Sequence, residues 1–217
     1  MPQFLLAHAA KVVLLALLAG LLWRGRARQC RAFALYVVAV LAGNLLVSLW
    51  PSRFWNADVW LLKQWVYDAL KLAVVAELAW QALSRFPRAA GTGRPAIMAL
   101  LAVGTLAIAP LSPASPHIVI REWQPRVATA LWVLAAAVLI VLWYQVRTAQ
   151  PWQRAITLGF VVLLSFVVLY RLLLVRQGGT LLGPSGIVDA LVSLGIFAFW
   201  TWAAWRGEGA RGLAPAS

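Results

Sequence analysis

Residues 126–146 read RVATALWVLAAAVLIVLWYQV, and no charged side chain stands between Arg126 and Arg147. About 20 residues wound as an α-helix rise about 30 Å, the thickness of a bilayer's hydrocarbon core. Lipid offers the backbone no hydrogen bonds, so a spanning segment is either a helix or a strand of a closed barrel. A barrel strand alternates apolar and polar positions, and this run is continuously apolar. The stretch is therefore predicted to be a transmembrane helix.

Working outward, six further segments have the same character: 3–23, 32–50, 59–84, 96–112, 155–175 and 187–205. The seams between them are rich in Arg, Pro and Gly, as in Arg24-Gly25-Arg26-Ala27-Arg28, residues 85–95 and residues 178–186. Such seams end helices and turn the chain. Short connections make consecutive helices antiparallel neighbours. The expectation is an all-α, polytopic transmembrane bundle of about seven spanning helices. It forms one domain over residues 1–205, followed by a short cytoplasmic tail, 206–217. Composition agrees: 63% of the 217 residues are apolar and 12% charged, whereas a soluble domain is about half apolar and a quarter charged. The N-terminal run lacks a basic lead-in and a small-residue cleavage site, so it reads as a retained helix and not a signal peptide.

The net charge of +13 does not point to nucleic acid, because the arginines sit in short loops between apolar runs. There they act as topology signals and attract anionic head groups, so the expected partner is the lipid bilayer. With the N-terminus outside, cytoplasmic loops hold Arg24, Arg26, Arg28, Arg31, Arg85, Arg88, Arg94, Arg147, Arg154, Arg206 and Arg211. The outer loops hold only Arg53, Arg121, Arg126 and Arg176. The excess of basic residues inside predicts N-out, C-in. Arg outnumbers Lys 16 to 3 beside abundant Ala, a bias of GC-rich bacterial genomes that suggests a bacterial inner (plasma) membrane. Trp23, Trp50, Trp55, Trp60, Trp123, Trp152 and Trp205 fall at predicted helix ends, where aromatic belts form. Trp132 and Trp200 read as packing residues. The lone Cys30 forms no internal disulfide and is expected to face the reducing cytoplasm.

The informative residues are the charges inside the spans: Lys11, Lys63, Asp68, Lys71, Glu77, Arg171 and Asp189. Each costs about 2.5–3.5 kcal/mol at mid-helix on insertion scales, so such residues pair or serve a function. Counting from Trp60, Asp68 lies roughly 12 Å and Lys71 roughly 16 Å along the third span, near the midplane. Lys63, Tyr67, Leu70, Val74, Glu77 and Gln81 share one face of that helix. Ala69, Ala73 and Ala76 form a second ridge that permits close helix approach. Asp68 and Lys71 are spaced to pair within the helix, and Arg171 and Asp189 to pair between the last two helices. One reading makes these neutral pairs that fix helix register. The other is a polar site open to the outside, lined by Lys11, Asn44, Lys63, Tyr67, Asp68 and Lys71. Glu77 and Gln81 approach the cytoplasmic end, within reach of head groups or water. The largest outer loop, 112–125, carries His117, Arg121, Glu122 and Trp123 and reads as a solvated connection or a lid.

Known intramembrane chemistries find no match. Gly183-Pro184-Ser185-Gly186 has the G-x-S-G pattern of rhomboid-type serine proteases, but the only histidines, His8 and His117, precede it, and the serine falls in an expected outer turn. Tyr67-Asp68 with Gly186-Ile187-Val188-Asp189 lacks the second glycine of the presenilin-like aspartate pair. The last span has no lysine for a retinal Schiff base. No Cys/His cluster spells a metal site, and no cofactor motif is present. The sequence points away from an enzyme.

Three stretches carry a family resemblance: Arg28-Gln29-Cys30-Arg31-Ala32-Phe33-Ala34-Leu35-Tyr36; the third span from Trp65 to Arg88 with Glu77 and Phe86-Pro87-Arg88; and the fifth and sixth spans with Arg126 and Trp143-Tyr144. On these the chain resembles a group of small, uncharacterised seven-helix membrane proteins of bacteria, common in Acidobacteria-type genomes. The resemblance implies topology, with no family function attached. Function from sequence is thus a non-enzymatic sensory or scaffold component acting through an unidentified membrane or cytoplasmic protein partner. The alternative is a small solute transporter with a polar site near the midplane. SWEET-type transporters share the helix count and orientation, but their proline-glutamine motif is not evident.

Overall fold

The computed structural model describes residues 2–54, 56–84, 124–144, 150–176 and 182–206, with side chains over 5–54, 56–84, 126–143, 150–170 and 187–206. Seven α-helices and one short 3₁₀ turn (Arg26–Arg28) account for nearly all of them. The helices are α1 (Pro2–Trp23), α2 (Arg31–Leu49), α3 (Pro51–Phe54), α4 (Ala57–Leu83), α5 (Gln124–Tyr144), α6 (Pro151–Arg176) and α7 (Leu182–Trp205). Five of them, α1, α2, α5, α6 and α7, are long and apolar enough to cross a membrane. At 27 residues α4 has the length, but Asp58, Lys63, Asp68, Lys71 and Glu77 make it the most polar of the long helices. The predicted span 96–112 and most of the outer loop at 112–125 lie outside the described residues.

The six long helices close a ring, in which α1 packs on α2, α2 on α4, α4 on α5, α5 on α6, α6 on α7 and α7 back on α1. The direction of α7 against α1 is visible in two bonds. Thr201 donates to the Val13 carbonyl at 3.2 Å and the Trp205 indole to the Ala16 carbonyl at 3.0 Å, so the two helices run parallel. Contacts from Glu77 to Ala32 and from Tyr67 to Ala39 show α4 antiparallel to α2. Helix α6 begins beside the end of α4, where Gln153 donates to Gln81 at 2.6 Å.

One end of the ring is closed by aromatic rings and caps. Phe33 of α2 meets Trp200 of α7 edge-on at 5.0 Å, Trp152 of α6 at 5.6 Å and Phe160 at 6.1 Å. Phe33, Trp152, Phe160 and Trp200 are fully buried. Between apolar helices in lipid there is no hydrophobic drive, so close contact and hydrogen bonds must supply the attraction. Gly159 makes that contact possible: a Cβ there would stand 2.2 Å from the Trp200 indole nitrogen. With no side chain at 159, that indole reaches the Ala155 carbonyl at 3.1 Å. Trp152 is thus a packing residue, not the belt residue its position at a helix end suggested, because α7 and α2 cover the start of α6.

Two charged side chains complete this end. Helix N-termini leave N–H groups without intrahelical partners and carry partial positive charge. Glu77 meets that need for α2, accepting from the backbone N–H of Arg31 at 3.0 Å and of Ala32 at 2.8 Å. Arg26 does the converse for α7. It is buried, donates to the carbonyls of Ala203 and Arg206, and its guanidinium lies 5.3 Å from the Trp152 ring. The turn that brings it there passes through Gly25 at φ 65, a left-handed conformation that suits glycine. Glu77 therefore serves α2, not head groups or water, and Arg26 is a cap as well as a loop charge.

Several sequence expectations are revised elsewhere. Gly183-Pro184-Ser185-Gly186 belongs to the first turn of α7, not to a loop, where proline lacks nothing that the helix needs. Ala69 is exposed while Ala76 is buried, so the alanine ridge is enclosed only toward the closed end.

Two outcomes follow. Glu77→Leu leaves two helix-terminal N–H groups unmet and is expected to lower stability by about 1–3 kcal/mol, read as a depressed thermal midpoint in detergent; Glu77→Gln, which keeps an acceptor, is expected to lose less. The Cys30 thiol is buried 3.3 Å from the Glu77 carboxylate. Burial first, and the Glu77 charge second, push its pKa well above the ordinary thiol range. The thiolate is the reactive form, so the native protein should resist maleimide between about pH 7 and 9 and react only once unfolded.

Candidate functional site

At the other end of the ring the helices enclose a cavity of about 430 Å³, a volume within the usual range of small-molecule pockets. All six long helices line it. Leu6, Ala7 and Ala10 come from the start of α1, and Tyr36, Val40 and Asn44 from α2. The first half of α4 supplies Trp60, Lys63, Gln64, Tyr67, Asp68 and Lys71. Ala128 and Leu131 of α5, Leu163, Leu164 and Val167 of α6, and Asp189, Ser193, Ile196 and Phe197 of α7 complete the wall.

The polarity of α4 now has a local cause. A 27-residue helix with its charges at positions 63, 68 and 71 places them over about two turns. Asn56 starts the helix by accepting from the Val59 N–H at 2.8 Å, which fixes where those positions fall. Lys71 donates to Asp68 Oδ1 at 2.8 Å, with both side chains largely buried. Asp189 of α7 lines the same cavity as this pair. Lys63 lies further toward the start of α4, its ammonium 5.8 Å from the Tyr67 ring, a cation–π distance. Tyr67 and Lys63 both lie against Gly43 of α2: a Cβ there would meet the Tyr67 hydroxyl at 2.2 Å and Lys63 Cε at 3.1 Å.

Of the six residues expected to form a polar site, the structure brings Asn44, Lys63, Tyr67, Asp68 and Lys71 to this cavity. Lys11 is buried in the bundle one turn from Ala7 but is not part of the cavity wall. Asp189, expected as a partner of Arg171, is on the wall; the Arg171 side chain lies outside the described residues. Leu70 is half-buried and Val74 fully buried, so the shared face of α4 turns into packed core below Lys71. Sequence reasoning missed Tyr36, Gln64 and Ser193. Tyr36 was visible as a polar-tipped residue in an apolar span; Gln64 and Ser193 gave no signal beyond being polar.

Among the described residues no group of His, Cys, Asp and Glu is placed to hold a metal ion. What the wall offers is ion pairing and hydrogen bonding: two ammonium groups, two carboxylates, two phenols, two amides and a hydroxyl. The chain matches no protein-family model, no curated protein and no solved structure.

The arrangement around Lys71 sets an order of effects. Lys71→Met leaves the Asp68 carboxylate without its cation, and breaking a buried pair costs about 3–5 kcal/mol. Asp68→Asn keeps an oxygen that can accept from Lys71 and is expected to lose clearly less. Chemical denaturation of the two variants in mild detergent checks the order; equal losses would contradict the pairing of Lys71 with Asp68.

Proposed function

We propose that the chain is a seven-span membrane protein of the bacterial inner membrane, N-out and C-in, whose pocket takes a small ligand from the outer side. In this reading it is a sensory component that passes occupancy to a protein partner and performs no chemistry. The observation that carries it is the asymmetry of the ring: a polar cavity at one end and a packed, capped seal at the other.

Several features support the orientation. Arg24, Arg26, Arg28, Arg31, Arg154 and Arg206 gather at the sealed end, and Arg53 and Arg126 at the cavity end. By the rule that basic loops stay inside, the seal is cytoplasmic. Helix α4 ends at the sealed end beside Gln153, whereas α5 begins at the cavity end with Ala128 and Leu131. A crossing by the predicted span 96–112 would join those two ends and make seven. The resemblance to small seven-helix bacterial proteins points the same way.

The transporter reading is favoured by the placement of Asp68 and Lys71 near mid-helix, since transporters bind substrate near the midplane. It requires that Phe33, Trp152, Phe160 and Trp200 part to open the other side. Accessibility separates the two. In a Cys30→Ser background, Gln64→Cys and Ser193→Cys are expected to react with a membrane-impermeant thiol reagent from the outer face only, and Val74→Cys from neither. Labelling of Ser193→Cys from both faces would replace sensing by alternating access, and protection from both would remove the pocket.

A further inference from the structure

The cavity has a neighbour. A groove of about 430 Å³ lies between the end of α2, the short α3 and the start of α4, lined among the described residues by Val47, Phe54, Asn56, Ala57, Trp60 and Lys63. Trp60 and Lys63 belong to both spaces, so these two side chains stand between a polar chamber and an apolar one. Asn56 adds little polarity, because its oxygen caps Val59 and its amide donates to the Arg53 carbonyl at 2.9 Å. The rest of the groove wall is hydrocarbon and aromatic. Around it Leu46, Leu49, Trp50 and Leu62 are exposed beside the exposed Arg53 and Asp58, with the Arg53 guanidinium 5.8 Å from the Phe54 ring, a mixture that suits the head-group boundary.

Lys63 is the cation at this junction. Among the described residues the one ion pair is Lys71–Asp68, and Lys63 has a tyrosine ring where a carboxylate would otherwise stand. On the chamber side Lys71 is matched by Asp68, which leaves the single charge of Lys63 to a monoanionic head.

We infer that the ligand is a single-chain amphiphile with a carboxylate head, drawn from the outer leaflet, its head on Lys63 at the chamber's edge and its tail along Val47, Phe54, Ala57 and Trp60. This rests on the outward-facing pocket proposed above and names what that pocket takes. The carboxylate gains a charge-assisted hydrogen bond in a partly desolvated site. The tail leaves water or lipid for a preformed slot beside the head, so that one molecule satisfies both spaces and reaches the cavity sideways.

The test uses the full chain in nanodiscs of neutral phosphatidylcholine and compares radiolabelled dodecanoate, butyrate and dodecanol. Dodecanoate is expected to bind saturably, dodecanol at least tenfold more weakly and butyrate not measurably. Across intermediate acids, each added methylene should raise affinity by up to about fourfold until the groove is full. Lys63→Met should weaken dodecanoate at least tenfold and leave dodecanol unchanged. Ala57→Phe, at an exposed position where folding is not at stake, should abolish the dependence on chain length. Butyrate binding as tightly as dodecanoate would overturn the amphiphile while leaving a soluble-ligand pocket standing. Equal binding of dodecanoate and dodecanol, or an unchanged Lys63→Met, would overturn the carboxylate. Binding of none of the three would overturn the inference, and the thiol labelling of Gln64→Cys and Ser193→Cys then reports independently whether the pocket itself survives.

Discussion

Four rings, Phe33, Trp152, Phe160 and Trp200, hold three helices together at one end of the bundle, and the rest of the structure depends on that contact. In lipid an apolar side chain gains nothing by turning from hydrocarbon toward another helix unless it packs better there. Large rings meeting edge-on supply that gain, and the missing side chain at Gly159 lets them approach. Several polar groups nearby are bonded within this end. Glu77 holds the start of α2, Arg26 the end of α7, and Gln153 reaches Gln81 across the ring. This packed end leaves the remaining polar side chains of α4 to the other end, where they line a cavity.

Those side chains are held in two different ways. Lys71 is fixed by the Asp68 carboxylate of its own helix. Lys63 is fixed by packing, its stem against Gly43 and its ammonium over Tyr67. A charge held by other charges is committed to structure; one held by an aromatic ring retains capacity for an anion. This difference, and not the mere presence of two lysines, makes Lys63 the centre of the binding hypothesis.

Much of the helical architecture was legible in the residues. The runs at 3–23, 126–146 and 187–205 exceed what any water-soluble helix needs, and helices were found over each of them. The Asp68–Lys71 pair was legible too, since a three-residue spacing brings the two side chains together on any helix. The roles of Glu77 and Arg26 were not. A carboxylate near a helix end looks the same in sequence whether it points to head groups or to the first N–H groups of another helix 46 residues away. Trp152 shows the same limit: its position in the chain marks a helix end, but burial depends on what covers that end.

By itself, then, the sequence determined that this chain is helical and made for lipid, because hydrophobic length and backbone hydrogen bonding are local properties that no tertiary contact can reverse. It also determined which charges had to be explained. Only the tertiary structure decided how they are explained: that Lys11 is packed away, that Asp189 lines the cavity, that Glu77 caps α2, and that Lys63 stands between two cavities. Those outcomes turn on which helices are neighbours and in which direction they run, and a ring of six helices fixes that by contacts between residues far apart in the chain.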